Sequence, residues 1–168
     1  MDVDTRATPR SAEALSSAAS MADDHSWVAA RTVSGSYHTD ITVGRHTFAA
    51  DEPLSAGGTD TGPTPYDYLL GALGACTAMT IHMYAARKKW PLDDVIVRLR
   101  NARSYASDCE HCEAQPVGVG RIERRIELSG TLTDEQRQRL LAIADRCPVK
   151  QTFERGLQIA ANDARDWA

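Results

Sequence analysis

The chain has 168 residues, 42% of them hydrophobic and 25% charged, with a formal net charge of −4. That composition fits one ordinary globular domain, and the weak acidity speaks against nucleic acid or an anionic membrane as partner. Four cysteines, without the basic head and apolar core of a secretory signal, predict a reducing, cytoplasmic setting where thiols are catalytic, metal-binding or buried.

Residues 1–26 carry almost no large apolar side chain and read as a disordered tail, leaving 27–168 as the folded domain. Trp27 to Val33, then Tyr37 to Val43, then His46 to Ala50 alternate and are rich in β-formers, with Gly44-Arg45 as a turn; this predicts an antiparallel meander. The glycine-rich run from Gly57 to Pro63 lacks phosphate-loop spacing and serves as a connection.

Gly62 to Trp90 predicts one long helix, expected to be buried on nearly all sides. Thr64 is the cap, Pro65 the first helical residue, and Asp67 stands at capping-box spacing. Arg87, Lys88 and Lys89 fall in the last turn, and Pro91 forbids continuation. An apolar stripe runs Leu69, Leu70, Leu73, Cys76, Thr77, Thr80, Met83, Tyr84. Gly71, Gly74, Ala75 and Ala78 make a small-residue face suited to close approach of another backbone. No apolar run is expected to reach the roughly 18 residues of a membrane span.

Two strands follow, Asp94 to Arg103 and Arg121 to Leu128, separated by a loop over 104–120. Arg124 falls among apolar neighbours, which leaves a β-bulge turning it outward as one account. Thr133 opens a second helix with Gln136 at capping-box spacing, and Leu140, Ile143, Ala144 and Cys147 share its stripe. Pro148 breaks that helix, Gly156 ends a short continuation, and Leu157 to Ala160 is expected as a closing strand.

Cys76 and Cys147 each lie on the apolar stripe of a helix. A lone cysteine there is most often structural. Cys147, however, precedes a proline at a helix break, which sets its sulfur at the start of the next turn, where the helix dipole favours thiolate. Cys76 has small neighbours that leave its sulfur accessible. Cys109-Glu110-His111-Cys112 is a single CxxC. A metal site using Cys109, His111 and Cys112, an accessory redox pair and an unoccupied loop pair all stay open. His82 reads as a satisfied helix histidine, His38 and His46 fall on β-strands with His46 the one to watch, and Tyr66, Tyr68 and Tyr84 read as packing residues.

The segments Asp51-Glu52-Pro53, Gly57 to Asp67, Leu73 to Thr80, Tyr84 to Leu92 and Ala144 to Val149 together resemble the OsmC/Ohr family of thiol-dependent peroxidases, in its OsmC-like branch. The resemblance implies an α+β fold: antiparallel sheets, two central helices, and an intertwined homodimer with active sites between subunits. It makes Cys76 the peroxide-attacking cysteine and Cys147 the resolving one. A thiolate attacks a hydroperoxide, a sulfenic acid forms, the second thiol condenses to a disulfide, and an external dithiol restores both; no other cofactor is implied. The apolar stripe favours organic hydroperoxides. Ten residues before Cys76, where the family's hydroperoxide reductases carry a glutamate, stands Tyr66; the nearest carboxylate is Asp67. The arginine that assists the thiolate is matched by Arg31 or Arg45, with Arg124 a third candidate. A non-catalytic protein binding an apolar ligand on this scaffold and a metal-binding regulator are the alternative readings.

Overall fold

A computed structural model describes residues 27–101 and 121–160. The expected tail and the Cys109, His111 and Cys112 cluster lie outside the described residues. Two compact units meet between Tyr68 and Leu69.

In the N-terminal unit, β1 (Ala29–Thr32), β2 (Thr39–Val43) and β3 (His46–Ala50) form an antiparallel sheet in sequence order. Hairpin β2–β3 turns at Gly44, whose φ of 51° suits glycine. Beyond β3 the chain folds around a buried carboxylate. Asp51 is 2% exposed and accepts from the backbone N–H groups of Glu52, Thr59 and Thr61 and from both threonine hydroxyls. Five donors more than replace its lost water, and the Thr59 hydroxyl leads in holding its pKa far below the ordinary value of 3.8. The glycine-rich run is therefore a wrapped anion rather than a plain connection. Gly58 and Gly62 permit the wrap: a Cβ would stand 1.9 Å from the Glu52 carbonyl oxygen and 2.4 Å from that of Ala49, respectively.

Helix α1 (Pro65–Lys88) begins as expected. The Thr64 hydroxyl accepts from Asp67 N–H at 3.2 Å, and the Asp67 carboxylate accepts from Thr64 N–H at 2.9 Å. It ends where Lys89 turns to a φ of 57° and Trp90 N–H donates to Ala85.

The C-terminal unit holds the rest of α1, the hairpin β4 (Asp94–Asn101) and β5 (Ile122–Ser129), α2 (Asp134–Ala144) and α3 (Pro148–Arg155). Ile81 and Ala85 of α1 meet Leu140 and Ala144 of α2, with Val95, Ile126 and Leu128 of the sheet packed against them. The buried stripe of α1 is Leu73, Thr77, Ile81 and Ala85, a strict four-residue repeat. Thr133 and Gln136 close a full capping box on α2.

Several expectations are corrected. The helix α1 is not buried on nearly all sides: Leu69, Met79 and Met83 are 46%, 63% and 73% exposed among the described residues. Among the described residues no second backbone meets Gly71 or Gly74. The Leu99 side chain of β4 lies 3.1 Å from where a Gly74 Cβ would be, and Gly71 faces open space. By length and composition alone α1 could cross a membrane, with 24 residues and an 18-residue stretch of mean hydropathy 1.4; its buried stripe against α2 and the sheet gives it the role of a core helix. Strand β5 has no bulge, since Leu99↔Arg124 sits in an unbroken register. Leu157 to Ala160 forms no strand; nothing pairs with it, and Leu157 and Ile159 remain exposed.

Candidate active site

The two cysteines on helical stripes come together. Cys76 sits midway along α1, half-buried. Cys147 is the N-cap of α3, fully buried, with Pro148 at the first helical position. The geometry follows from the local sequence. Pro148 has no N–H, so the first free donors of α3 are those of Val149 and Lys150. They stand at the helix end next to Cys147, whose side chain makes no capping hydrogen bond, and their polarity favours thiolate at the neighbouring sulfurs. The two thiols are close enough for each to shift the titration of the other.

Thr77 completes the cradle. Its hydroxyl is buried and has no hydrogen-bond partner among the described residues. It lies beside the Cys147 sulfur and favours the thiolate there. Burial pushes the Cys147 thiol up, but the Cys76 thiol, Lys150 N–H, the Thr77 hydroxyl and Val149 N–H outweigh it, and the group titrates below an ordinary cysteine. Cys76 moves the other way: burial raises it first, and the neighbouring Cys147 adds to the rise. The two thiols therefore titrate together, and the first charge to appear belongs to the pair. Thr80 commits its hydroxyl to the Cys76 carbonyl at 2.7 Å, one turn back along α1.

The elbow between α2 and α3 is braced. Arg124 points inward from β5, 20% exposed, and donates to the Ala144 carbonyl at 3.3 Å and the Asp145 carboxylate at 2.7 Å. Ala144 also accepts from Cys147 N–H at 3.3 Å, so the guanidinium and the cysteine backbone share one acceptor. Lys150 reaches the same Asp145 from α3 at 3.8 Å and Glu154 at 2.6 Å.

The other candidates belong to the N-terminal unit. Asp67 is held by Thr64 at the start of α1; nine helical residues separate it from Cys76, a rise of roughly 13–14 Å. Arg31 lies on β1 opposite Asp40, and Arg45 at the β2–β3 turn, both exposed and both in the N-terminal unit. Thr77 and the α3 donors escape a reading of residue types alone, although Thr77 next to Cys76 and Pro148 next to Cys147 are visible in the sequence. Among the described residues no group of three His, Cys, Asp or Glu side chains is placed to hold a metal.

Two neighbouring cysteines, one of them at a helix N-terminus, thus lie on an α+β scaffold with antiparallel sheets. The family model described as OsmC-like protein matches residues 58–162, and the chain belongs to that family. No curated protein matches it. Among solved structures it is similar to an OsmC-like protein from Mycoplasma pneumoniae, at 18% identity over 76% of this chain and 86% of that one, TM-score 0.61. An organic hydroperoxide resistance protein, OsmC, from Legionella pneumophila matches at 20% identity over 75% and 88%, TM-score 0.54. A protein from Aquifex aeolicus matches at 16% over 77% and 87%, TM-score 0.57. At these identities the likeness establishes the fold.

Proposed function

We propose that the chain is a cysteine-dependent peroxidase that reduces organic hydroperoxides to alcohols, acting as a homodimer in the cytoplasm. The observation that carries this reading is that Cys76 and Cys147, far apart in sequence, lie close enough to titrate together, with Cys147 at the α3 N-terminus. The name of the Legionella relative, an organic hydroperoxide resistance protein, points the same way.

Access and charge divide the labour. Cys76 is the half-exposed sulfur and Cys147 the enclosed one, so peroxide meets Cys76. The Cys147 thiolate takes the Cys76 proton as Cys76 sulfur attacks the terminal peroxide oxygen. The O–O bond breaks, the alkoxide recovers that proton as alcohol, and Cys76 is left as sulfenic acid. Cys147, again a thiolate, attacks the Cys76 sulfur; hydroxide leaves and the disulfide forms. An external dithiol returns both thiols. The uncovered side of α1 that carries Leu69 and Met79 is where a second copy packs.

Peroxide consumption with dithiothreitol tests the reading. Wild type should turn over and Cys76→Ser should not; with dithiothreitol left out, Cys147→Ser should give one equivalent and stop at a trappable sulfenic acid. Equal consumption by wild type and Cys76→Ser refutes it and leaves a ligand-binding protein.

A further inference from the structure

Beside the thiol pair, Thr80 and Pro148 border a groove of about 720 Å³ in the C-terminal unit. Met83 and Ile143 give it an apolar wall, and every charge that lines it is positive: Arg87, Lys88, Arg139 and Arg146. Three of these converge on one ring, with Arg87, Lys88 and Arg139 at 5.5, 5.9 and 5.7 Å from the centre of Tyr84. Arg139 also donates to the Tyr84 hydroxyl at 3.2 Å.

Among the described residues none of the four cations has a carboxylate partner. Asp145 is held by Arg124 and Lys150, Glu154 by Lys150, and Glu123 and Glu127 by Arg100 and Arg98. In a chain of net charge −4, four uncompensated cations around one apolar-walled groove call for a ligand anion. A single carboxylate balances one of them. A phosphate monoester carries up to two negative charges and three terminal oxygens that accept from several guanidinium forks at once. From Thr80 to Lys88 the helix rises about 12 Å, room for an apolar stem between the phosphate and the thiols.

We propose that this groove is a phosphate subsite. It holds the head of an amphipathic phosphate ester whose apolar chain, lying on Met83, Ile143 and Pro148, brings a hydroperoxide to Cys76. The binding claim stands by itself; the hydroperoxide on that chain rests on the peroxidase reading.

Calorimetric titration of Cys76→Ser protein, which cannot turn over, separates the two. The probes are an alkyl phosphate, the alkyl carboxylate and the alkyl alcohol of equal chain length. The phosphate is expected to bind at least about tenfold more tightly than the alcohol, with the carboxylate between them. Salt should weaken the phosphate and leave the alcohol unchanged, and Arg87→Gln with Arg139→Gln should remove the phosphate's advantage. Equal affinities for the three probes, a carboxylate that matches the phosphate, or an advantage that survives salt or the double substitution would overturn the subsite. If the phosphate binds as expected while wild type fails to reduce a neutral hydroperoxide, the subsite stands and the peroxidase reading falls.

Discussion

Replacing Thr77 with valine separates what its hydroxyl does for stability from what it does for chemistry. The side chain is fully buried and its oxygen has no hydrogen-bond partner among the described residues. Burying a hydroxyl without a good partner costs about 1–3 kcal/mol in mutational series. Valine keeps the shape and removes the cost, so Thr77→Val should stabilise the reduced protein by about 1 kcal/mol, or about 2–4 °C in Tm for a chain of this size. The same change strips a donor from the Cys147 thiolate. The pH midpoint of thiolate absorbance should rise and peroxide turnover near neutral pH should fall, while Thr77→Ser restores both. Most core substitutions lower stability and activity together; here they move in opposite directions. A valine variant that is less stable, with an unmoved thiolate midpoint, would refute the assignment of this hydroxyl to the sulfur.

Arg124→Met should cost about 1–3 kcal/mol in denaturant unfolding, because the inward guanidinium holds a helix carbonyl and Asp145, and it should slow disulfide closure by loosening the Cys147 elbow. Leu140→Ala, which empties a fully buried site between α1 and α2, should cost about 2–5 kcal/mol by the same measurement. Asp51 gives a pH signature. Its folded carboxyl lies far below 3.8, so its stabilising contribution is complete above that value and is lost as pH falls below it toward the folded pKa. Asp51→Asn should therefore lower Tm at neutral pH, and the gap to wild type should narrow in acid; a constant gap would contradict the buried-anion account. Gly130→Ala should be among the most damaging single changes, since φ is 130° and the new Cβ would stand 2.2 Å from the Pro91 carbonyl oxygen; failure to lower Tm would contradict that close approach.

Local rules were the legible part of the sequence. Both capping boxes, the meander, the hairpin β4–β5 and the break at Pro148 follow from spacing and from residues with a single backbone preference. The α2 stripe of Leu140, Ile143, Ala144 and Cys147 is buried as its periodicity requires. The misreadings arise where tertiary partners decide. Arg124 among apolar neighbours suggested a bulge, because sequence does not reveal that a helix C-terminus and Asp145 wait opposite. Leu157 to Ala160 has strand composition but no strand to pair with. In α1 the apolar residues outnumber the surface one chain offers, so spacing alone did not separate the buried Ile81 from the exposed Met83. At the site, the two sulfurs were nameable from their contexts. The Thr77 hydroxyl and the Val149 and Lys150 amides were not, because a donor's aim is a property of the folded chain.

Pro148 carries one more consequence. By withholding its own N–H it makes the amides of Val149 and Lys150 the first of α3 that can favour charge on Cys147. Once a disulfide replaces the thiolate, those amides lose their anionic neighbour, and the first turn of α3 becomes the part of the protein most directly informed of its oxidation state. Deuterium uptake at these two positions should therefore be slow in the reduced protein and faster in the oxidised one, making the opening of a single helical turn a readout of electron transfer.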